Sequence, residues 1–310
     1  MVDLNYPVGA IEAGGTKFVC SYGVNWHDIV KNKITIQTSE DPNETIGKVV
    51  KWFYDQELKI NNKINFLGLA CFGPICLNDK SEKYGYITST PKVNWNNYNI
   101  VGELKKYFPE INIGFDTDVN GAALGESYFG AAKNISNFVY ITIGTGIGAG
   151  AIVNGKLLHG LMHPEMGHMR LNRIDSDNFP GSCQFHHDCW EGLCSGVAMM
   201  KRAGKSAELL PADHEAWIYE AEYTAQAIVN MIYVLSPQKI ILGGSVSQGG
   251  QLGQKCFFEK IHLNVSRYLN GYIQLPEMEL PDISNFIVSP GLGSDAGIVG
   301  AFLLGAMKNE

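Results

Sequence analysis

The feature that most restricts the fold is a pattern the chain uses twice. Val8-Gly9-Ala10-Ile11-Glu12-Ala13 runs into Gly14-Gly15-Thr16-Lys17 and out through Phe18-Val19-Cys20-Ser21-Tyr22. Two short apolar runs joined by a glycine turn describe a β-hairpin. At Phe138 the pattern returns: Val139-Tyr140-Ile141-Thr142-Ile143 leads into Gly144-Thr145-Gly146-Ile147-Gly148-Ala149-Gly150 and out through Ala151-Ile152-Val153, with Gly144 standing 130 residues after Gly14. A spacing that long is no solenoid period and predicts two lobes built on one plan. The 310 residues are enough for about two domains of ordinary size, each with its own core. We place the boundary near Asp118.

Periodicity fills in the rest. Asn43 to Leu58 carries Ile46, Val49, Val50, Phe53 and Tyr54 at helical spacing. Ile64–Cys71, Gly85–Thr90 and Ile111–Phe115 read as strands, and Tyr98–Phe108 and Val119–Ala131 as helices. Asp213–Leu235 reads as a long helix with Asp213 as its cap and Pro237 beyond its end. Lys239–Leu242 is a buried strand ending in Gly243-Gly244, and Gly291-Leu292-Gly293-Ser294-Asp295 is a turn feeding a last helix, Ala296–Met307. Strands alternating with helices imply an α/β fold with mixed sheets.

Composition excludes several classes of function. Hydrophobic residues are 45% and charged residues 18%, as in a folded globular chain. The net charge of −7, with no basic patch, argues against a nucleic-acid partner. The longest apolar runs, Phe138–Ile143 and Lys239–Leu242, fall far short of the roughly 20 residues of a membrane span, so no membrane role is expected. Met1-Val2-Asp3-Leu4-Asn5 lacks the basic and apolar stretches of a secretory signal, which predicts a cytoplasmic protein. In that reducing setting Cys183, Cys189 and Cys194, crowded into one segment, point to metal before disulfides. Cys20, Cys71, Cys76 and Cys256 sit among apolar neighbours and read as core thiols.

Four glycine turns each follow a strand. Glycine lets backbone approach a ligand and adopt positive φ, so that successive N–H groups converge on phosphate oxygens. Gly14-Gly15 alone is equally a tight hairpin. Four such turns, with Thr16, Lys17, Thr145 and Asp295 beside them, favour phosphate binding. The chain has no Gly-x-x-x-x-Gly-Lys-Ser/Thr, and Gly144–Gly150 spaces its glycines every second residue and leads into a strand, which disfavours both a P-loop and a dinucleotide site.

Two further constellations carry chemistry. In Phe115-Asp116-Thr117-Asp118-Val119-Asn120, Asp118 lies where a strand ends and a helix starts. It can serve as a helix N-cap, as a general base, or as both. Cys183-x-x-His186-x-x-Cys189 together with His168 offers the four Cys/His ligands and short gaps of a structural zinc site. His187 is an alternative to His186.

These residues resemble the ROK family of sugar kinases and sugar-responsive repressors, and within it the zinc-containing bacterial fructokinases. Glu12-Ala13-Gly14-Gly15-Thr16-Lys17 and Gly144-Thr145-Gly146-Ile147-Gly148 resemble the family's two phosphate motifs. Asp116–Asn120 resembles the catalytic segment, Glu165-Met166-Gly167-His168 and Glu191–Gly196 the sugar contacts, and Gly243-Gly244-Ser245-Val246 and Gly293–Gly297 the nucleotide-side turns. Glu12 stands where many members have aspartate, His187 where glycine is usual and Cys194 where a small residue is usual. Pro91-Lys92-Val93-Asn94 replaces the Pro-Asn contact of many glucokinases.

The resemblance implies a duplicated actin/hexokinase-like (ribonuclease H-like) fold that closes two lobes around a sugar and Mg-ATP. The N-terminal lobe would be residues 1–118, completed by the C-terminal helix 296–310, and the other lobe 119–295, with a zinc-binding loop at 163–191. ATP phosphates would meet Gly14, Gly15, Thr16, Lys17, Gly144, Thr145, Gly146, Gly148, Gly243, Gly244 and Gly293. The sugar, fructose and by extension mannose, would meet Gly73, Asn94, Asp118, Glu165, His168 and Glu191. Asp118 would be the base, and His168, Cys183, His186 and Cys189 would hold a structural zinc. A homodimer is the implied assembly. A glucokinase-type specificity keeps the mechanism and changes only the pocket. A repressor of this family carries a DNA-binding domain before its first glycine turn, for which Gly14 leaves no room.

Overall fold

The computed structural model describes residues 4–309. Met1, Val2 and Asp3, on which the reading of the N-terminus partly rests, and Glu310 lie outside the described residues. The chain divides into two compact units. The first contains residues up to Gly130, the segment Leu158–His163 and the C-terminal stretch from Asp295, and the second contains Ala131–Leu157 and Pro164–Ser294.

In the first unit β1 (Val8–Ala13) and β2 (Lys17–Gly23) form the first hairpin. Helix α1 (Trp26–Lys31), β3 (Ile34–Gln37) and α2 (Pro42–Ile60) follow, then β4 (Phe66–Cys71). The strand expected over Gly85–Thr90 shrinks to β5 (Tyr86–Ile87), paired with β6 (Tyr98–Asn99) in a small ribbon. It stops there because both the N–H and the hydroxyl of Thr88 are spent on the Pro74 carbonyl. Helix α3 (Ile100–Tyr107) starts two residues later than Tyr98, where the Asn99 side chain accepts the Gly102 N–H and fixes the entry. Then come β7 (Asn112–Thr117) and α4 (Asp118–Phe129). The cap of α4 is Thr117, whose hydroxyl accepts the Asn120 N–H; Asp118 is the first helical residue.

The second unit opens with β8 (Phe138–Ile143), β9 (Ile147–Val153) and β10 (Lys156–Leu157). Its glycine turn is only Gly144–Gly146; Gly148 and Gly150 lie inside β9, opposite Thr142 and Tyr140. Helices α5 (Trp190–Cys194), α6 (Gly196–Ala203) and α7 (Ala216–Leu235) precede β11 (Lys239–Gly243). Asp213 does not cap α7: the chain turns at Pro211–His214, and the His214 ring nitrogen accepts the Ala216 N–H. Helix α8 (Gln254–Leu269), α9 (Ile283–Phe286) and β12 (Ile287–Val288) complete the unit. Cys256 is exposed, since α8 buries Phe257, Phe258, Ile261 and Val265 on its other side, and Cys76 is only half-buried. Among the described residues no helix is long and apolar enough to cross a membrane.

The duplication is visible in the sheets. One runs β3-β2-β1-β4-β7 and the other β10-β9-β8-β11-β12. In each, the first three strands in sequence form an antiparallel meander and the next two add in parallel. The duplicated hairpins Val8–Gly23 and Phe138–Val153 therefore occupy equivalent places, each with its glycine turn at the carboxyl end of the leading strand.

Helix α10 (Ala296–Ala306) closes the chain and belongs to the first unit. Its sequence is apolar on all sides, which requires burial on all sides. Gly68 of β4 and Gly114 of β7 lie under it so closely that a Cβ at either would clash with the Ala301 or Leu304 carbonyl. On its other flank Gly125 of α4 meets Ala296, and Gly300 meets the Gly121 carbonyl. The first unit thus runs past Asp118, because α4 and α10 pack backbone to backbone. Gly300→Ala should cost about 1–3 kcal/mol of stability through overpacking, more than the about 1 kcal/mol that alanine gains over glycine within a helix. Urea unfolding measures it; a variant as stable as the wild type would show that the two helices do not meet at this point.

Candidate functional site

In the first unit the turn between β1 and β2 is held by the Gly14 N–H donating to the Lys17 carbonyl at 2.9 Å and by the Thr38 hydroxyl donating to the Gly14 carbonyl at 2.9 Å. Neither Gly14 nor Gly15 needs positive φ. Gly14 is required for space, since a Cβ would sit 2.8 Å from the Lys17 carbonyl oxygen. Positive φ is instead found at two of the other glycine turns, at Gly244 (φ 95°) and Gly293 (φ 57°).

Glu12, at the end of β1, is half-buried, and its carboxyl is pushed up to about 7, first by burial and next by the charge of Asp118. Lys17 and Lys33 oppose that rise, and Lys33 is itself paired with Asp295. Asp118 is pushed up to about 6 by burial, against hydrogen bonds from backbone N–H groups that include Val119. Two adjacent carboxyls therefore titrate near neutrality, where ordinary carboxyls are fully ionised.

Beside Asp118 lies a cluster that sequence reasoning missed. Buried Asp116 sits 2.9 Å from the Nε2 of His159, accepts the Asn120 side-chain amide at 2.7 Å, and raises the His159 ring by this hydrogen bond. His163, four residues on, accepts the Ile75 N–H at 3.1 Å next to Gly73. The segment Leu158–His163 thus ties the end of β7 to the Gly73–Ile75 turn. The paired histidines before Pro164 were the available signal, but their partners lie 43 and 88 residues upstream. Asn94 is exposed on a 3-10 turn, Val93–Trp95.

In the second unit the four expected metal ligands come together. The ligand atoms of His168, Cys183, His186 and Cys189 all lie within 4.8 Å of one another. The two Nδ1 atoms are 3.3 Å apart, His168 Nδ1 is 3.5 Å from the Cys189 sulfur, and the Cys183 sulfur is 3.9 and 3.8 Å from the two Nδ1 atoms. A tetrahedral zinc with its usual bond lengths needs about 3.3 Å between nitrogens and about 3.6 Å between nitrogen and sulfur. The donor set and its spacing fit zinc. His187 has φ 58° and turns away; its backbone pairs with Cys183 and its carbonyl packs against Gly181 and Gly192. Cys194 is fully buried in α5, beside Glu220, and is not among the four. Burial pushes the Cys189 thiol up to about 12, a state that a coordinating cation reverses.

Of the three expected sugar contacts in this unit, His168 is itself one of the expected metal ligands, and Glu165 and Glu191 lie close to the ligands in sequence. Glu165 is half-buried, and its carbonyl accepts the His168 N–H at 3.0 Å. Glu191, two residues after Cys189, accepts the Ile147 N–H at 2.9 Å. A Cβ on Gly146 would lie 2.6 Å from that carboxylate, so Gly146 borders Glu191. Gly144 has open space where its Cβ would be. A groove of about 770 Å³ between α8 and α9, lined by Phe258, His262, Leu263 and Ile287 among others, includes none of the expected site residues.

The chain is 42% identical over 304 residues to a fructokinase of Pediococcus pentosaceus, covering 97% of this chain and 99% of that one. It is 45% identical over 271 residues to a fructokinase of Lactococcus lactis subsp. cremoris, covering 86% and 87%. The ROK hexokinase structure from Thermus thermophilus superposes with a TM-score of 0.77 at 22% identity, over 98% of this chain and 99% of that one, a likeness of fold. The model of the ROK family matches residues 8–308, and the chain belongs to that family.

Proposed function

We propose that the protein is an ATP-dependent fructokinase in which Asp118 is the base. The observation that carries the chemistry is the raised Asp118 carboxyl at the end of β7, within electrostatic reach of Glu12 and hence of the first glycine turn. Full-length identity above 40% to two fructokinases supports fructose as the substrate. Asp118 takes the proton of a sugar hydroxyl, the freed oxygen attacks the γ-phosphorus, and the bond to the bridging oxygen breaks to release ADP. Such a reaction is catalysed by positioning and by charge neutralisation more than by covalent chemistry. The backbone of Gly14–Lys17 and of Gly144–Gly146 is assigned to the phosphates, with the turns at Gly243-Gly244 and Gly293.

Gly73, Asn94, Glu165, His168 and Glu191 are assigned to the sugar. Both histidines of the metal group turn Nδ1 inward, so a neutral His168 keeps a proton on Nε2 to donate to a hydroxyl. Zinc held by His168, Cys183, His186 and Cys189 is structural, since four protein ligands leave no open position. Glu12, raised to about 7 by burial and by the charge of Asp118, is the carboxylate that fits the Mg²⁺ of the nucleotide, which would neutralise phosphate charge.

Asp118→Asn should lower kcat by roughly 10²-fold or more while nucleotide binding persists. A mutant with near-normal turnover would remove Asp118 from the role. The base works only when ionised, so wild-type kcat/KM should be high above about pH 6 and fall about tenfold per unit below it. Because the folded pKa lies above that of the unfolded chain, ionising Asp118 costs stability as pH rises from about 4 to about 6. Asp118→Asn should then melt above the wild type at pH 7.5, with a gap that closes toward pH 4; a constant gap would show that Asp118 is not displaced. Elemental analysis should find about one zinc per chain, the capacity of one four-ligand site. His186→Ala should lose it and His187→Ala keep it, whereas the opposite result would shift the ligand register by one.

A further inference from the structure

The metal group and the second glycine turn belong to the same unit, and three segments that carry or adjoin the metal ligands grip that turn. The first grip is Glu191: one carboxylate oxygen accepts the Ile147 N–H at 2.9 Å, the first residue after Gly146. The second is Gly167, the neighbour of His168, which packs so tightly on the Ile147 carbonyl that a Cβ there would clash. The third is Gly196, whose N–H donates to the Gly144 carbonyl at 2.7 Å. Within the turn the Gly144 N–H donates to the Gly146 carbonyl at 2.9 Å.

The gripping residues are fixed by the ligands. His168 sits on the 3-10 turn Met166–His168, so Gly167 is placed wherever His168 is. Cys189 is the residue from which α5 starts, and α5 carries Glu191 and leads directly to Ser195-Gly196. The two ligand segments join elsewhere through the Trp190 N–H donating to the Met169 carbonyl at 2.9 Å and through the Arg170–Asp188 ion pair. That pair is exposed, and exposed pairs contribute little. The Arg170 side chain also donates to the His186 carbonyl at 2.9 Å, and Arg170 forms a β-bridge with Cys189. A cation bound by His168 and Cys189 together would add a tie that holds Gly167 and Glu191 against the carbonyl and the N–H of Ile147.

We propose that the metal group positions the second glycine turn for the nucleotide phosphates, with Glu191 as the positioning residue. The inference rests on the kinase reading and adds to it. A Glu191 that only met sugar would alter sugar KM and leave nucleotide affinity alone. A Glu191 that holds the turn controls nucleotide affinity with no sugar present, and so does the metal.

The test compares wild-type protein as purified, the same protein stripped by a chelator, Glu191→Ala and Glu191→Gln. Two quantities are read without sugar: the affinity for AMPPNP by calorimetry, and hydrogen exchange of residues 143–148, with exchange in α7 as the control for global unfolding. Glu191→Ala should keep its zinc, exchange faster at the turn and bind AMPPNP roughly tenfold more weakly, the scale of one lost charge-assisted hydrogen bond. Glu191→Gln, whose amide oxygen still accepts the Ile147 N–H, should recover most of both. Stripped wild type should behave like Glu191→Ala. If the wild type binds AMPPNP and Glu191→Ala or the stripped protein binds it equally well with unchanged exchange, the inference is wrong and the kinase reading stands. If the wild type binds no AMPPNP, the kinase reading fails and takes this inference with it.

Discussion

A helix with no polar face must be enclosed, and α10 is such a helix. The first unit is arranged around it. Glycines at 68 and 114 in the sheet, at 125 in α4 and at 300 in α10 let backbone reach backbone, because a Cβ at these crossing points would collide. This packing determines more than stability. It presses α4 against the carboxyl ends of β4 and β7, which fixes the first turn of α4 and therefore Asp118. It also brings Gly297, at the start of α10, against the Glu12 carboxylate, and Asp295 to Lys33. The stretch from Asp295 onward thus positions charges that belong to the first forty residues.

The same enclosure explains why the carboxyls of Glu12 and Asp118 are displaced upward. Each loses water on burial, and the two repel each other. Lys17 and Lys33 reduce the rise without abolishing it, since Lys33 is already engaged by Asp295. Asp116, two residues before Asp118, shows the alternative. It is more deeply buried, and it receives His159, the Asn120 amide and the Thr117 N–H. Asp116 is thereby used to fix the end of β7, while Asp118 receives the Val119 N–H at the start of α4.

Much of this was legible in the sequence, and what was not has a common cause. The duplicated hairpins could be read because strand alternation and turn glycines are local signals. The convergence of His168, Cys183, His186 and Cys189 could be read because three of them share seven residues and all four side chains are of ligand type. The boundary at Asp118 was misplaced because nothing in residues 118–130 announces a partner at 296–306. Asp213 looked like a cap, but the His214 ring reaches the helix entry first, and caps depend on conformation that composition does not encode. Cys256 looked like core because its sequence neighbours are aromatic, although on a helix adjacent residues point in different directions. The His159–Asp116 and Glu191–Ile147 contacts span 43 and 44 residues, and only the folded chain reveals them.

The two glycine turns show how a duplicated fold diverges at equivalent atoms. In the first, the Gly14 carbonyl is met by the Thr38 hydroxyl, and the Thr38 N–H donates to the Thr16 carbonyl, so the turn is closed by the residue that follows β3. In the second, the equivalent Gly144 carbonyl is met by the Gly196 N–H, and the N–H after the turn goes to Glu191. The third strand of that sheet, β10, is only two residues long and hands the chain to Leu158–His163 in the first unit before it returns at Pro164. A strand that short does not extend along β9 to the turn, since its pairing stops at Ile152. The support that β3 gives the first turn therefore had to come from elsewhere. It comes from the segment that carries the cysteines and histidines, a stretch with little regular structure between Met169 and Cys189. Such a stretch has few backbone ladders with which to hold a turn rigid, whereas four ligands around one cation would hold it, a role open to the Cys/His group of this lobe and without a counterpart at the first turn.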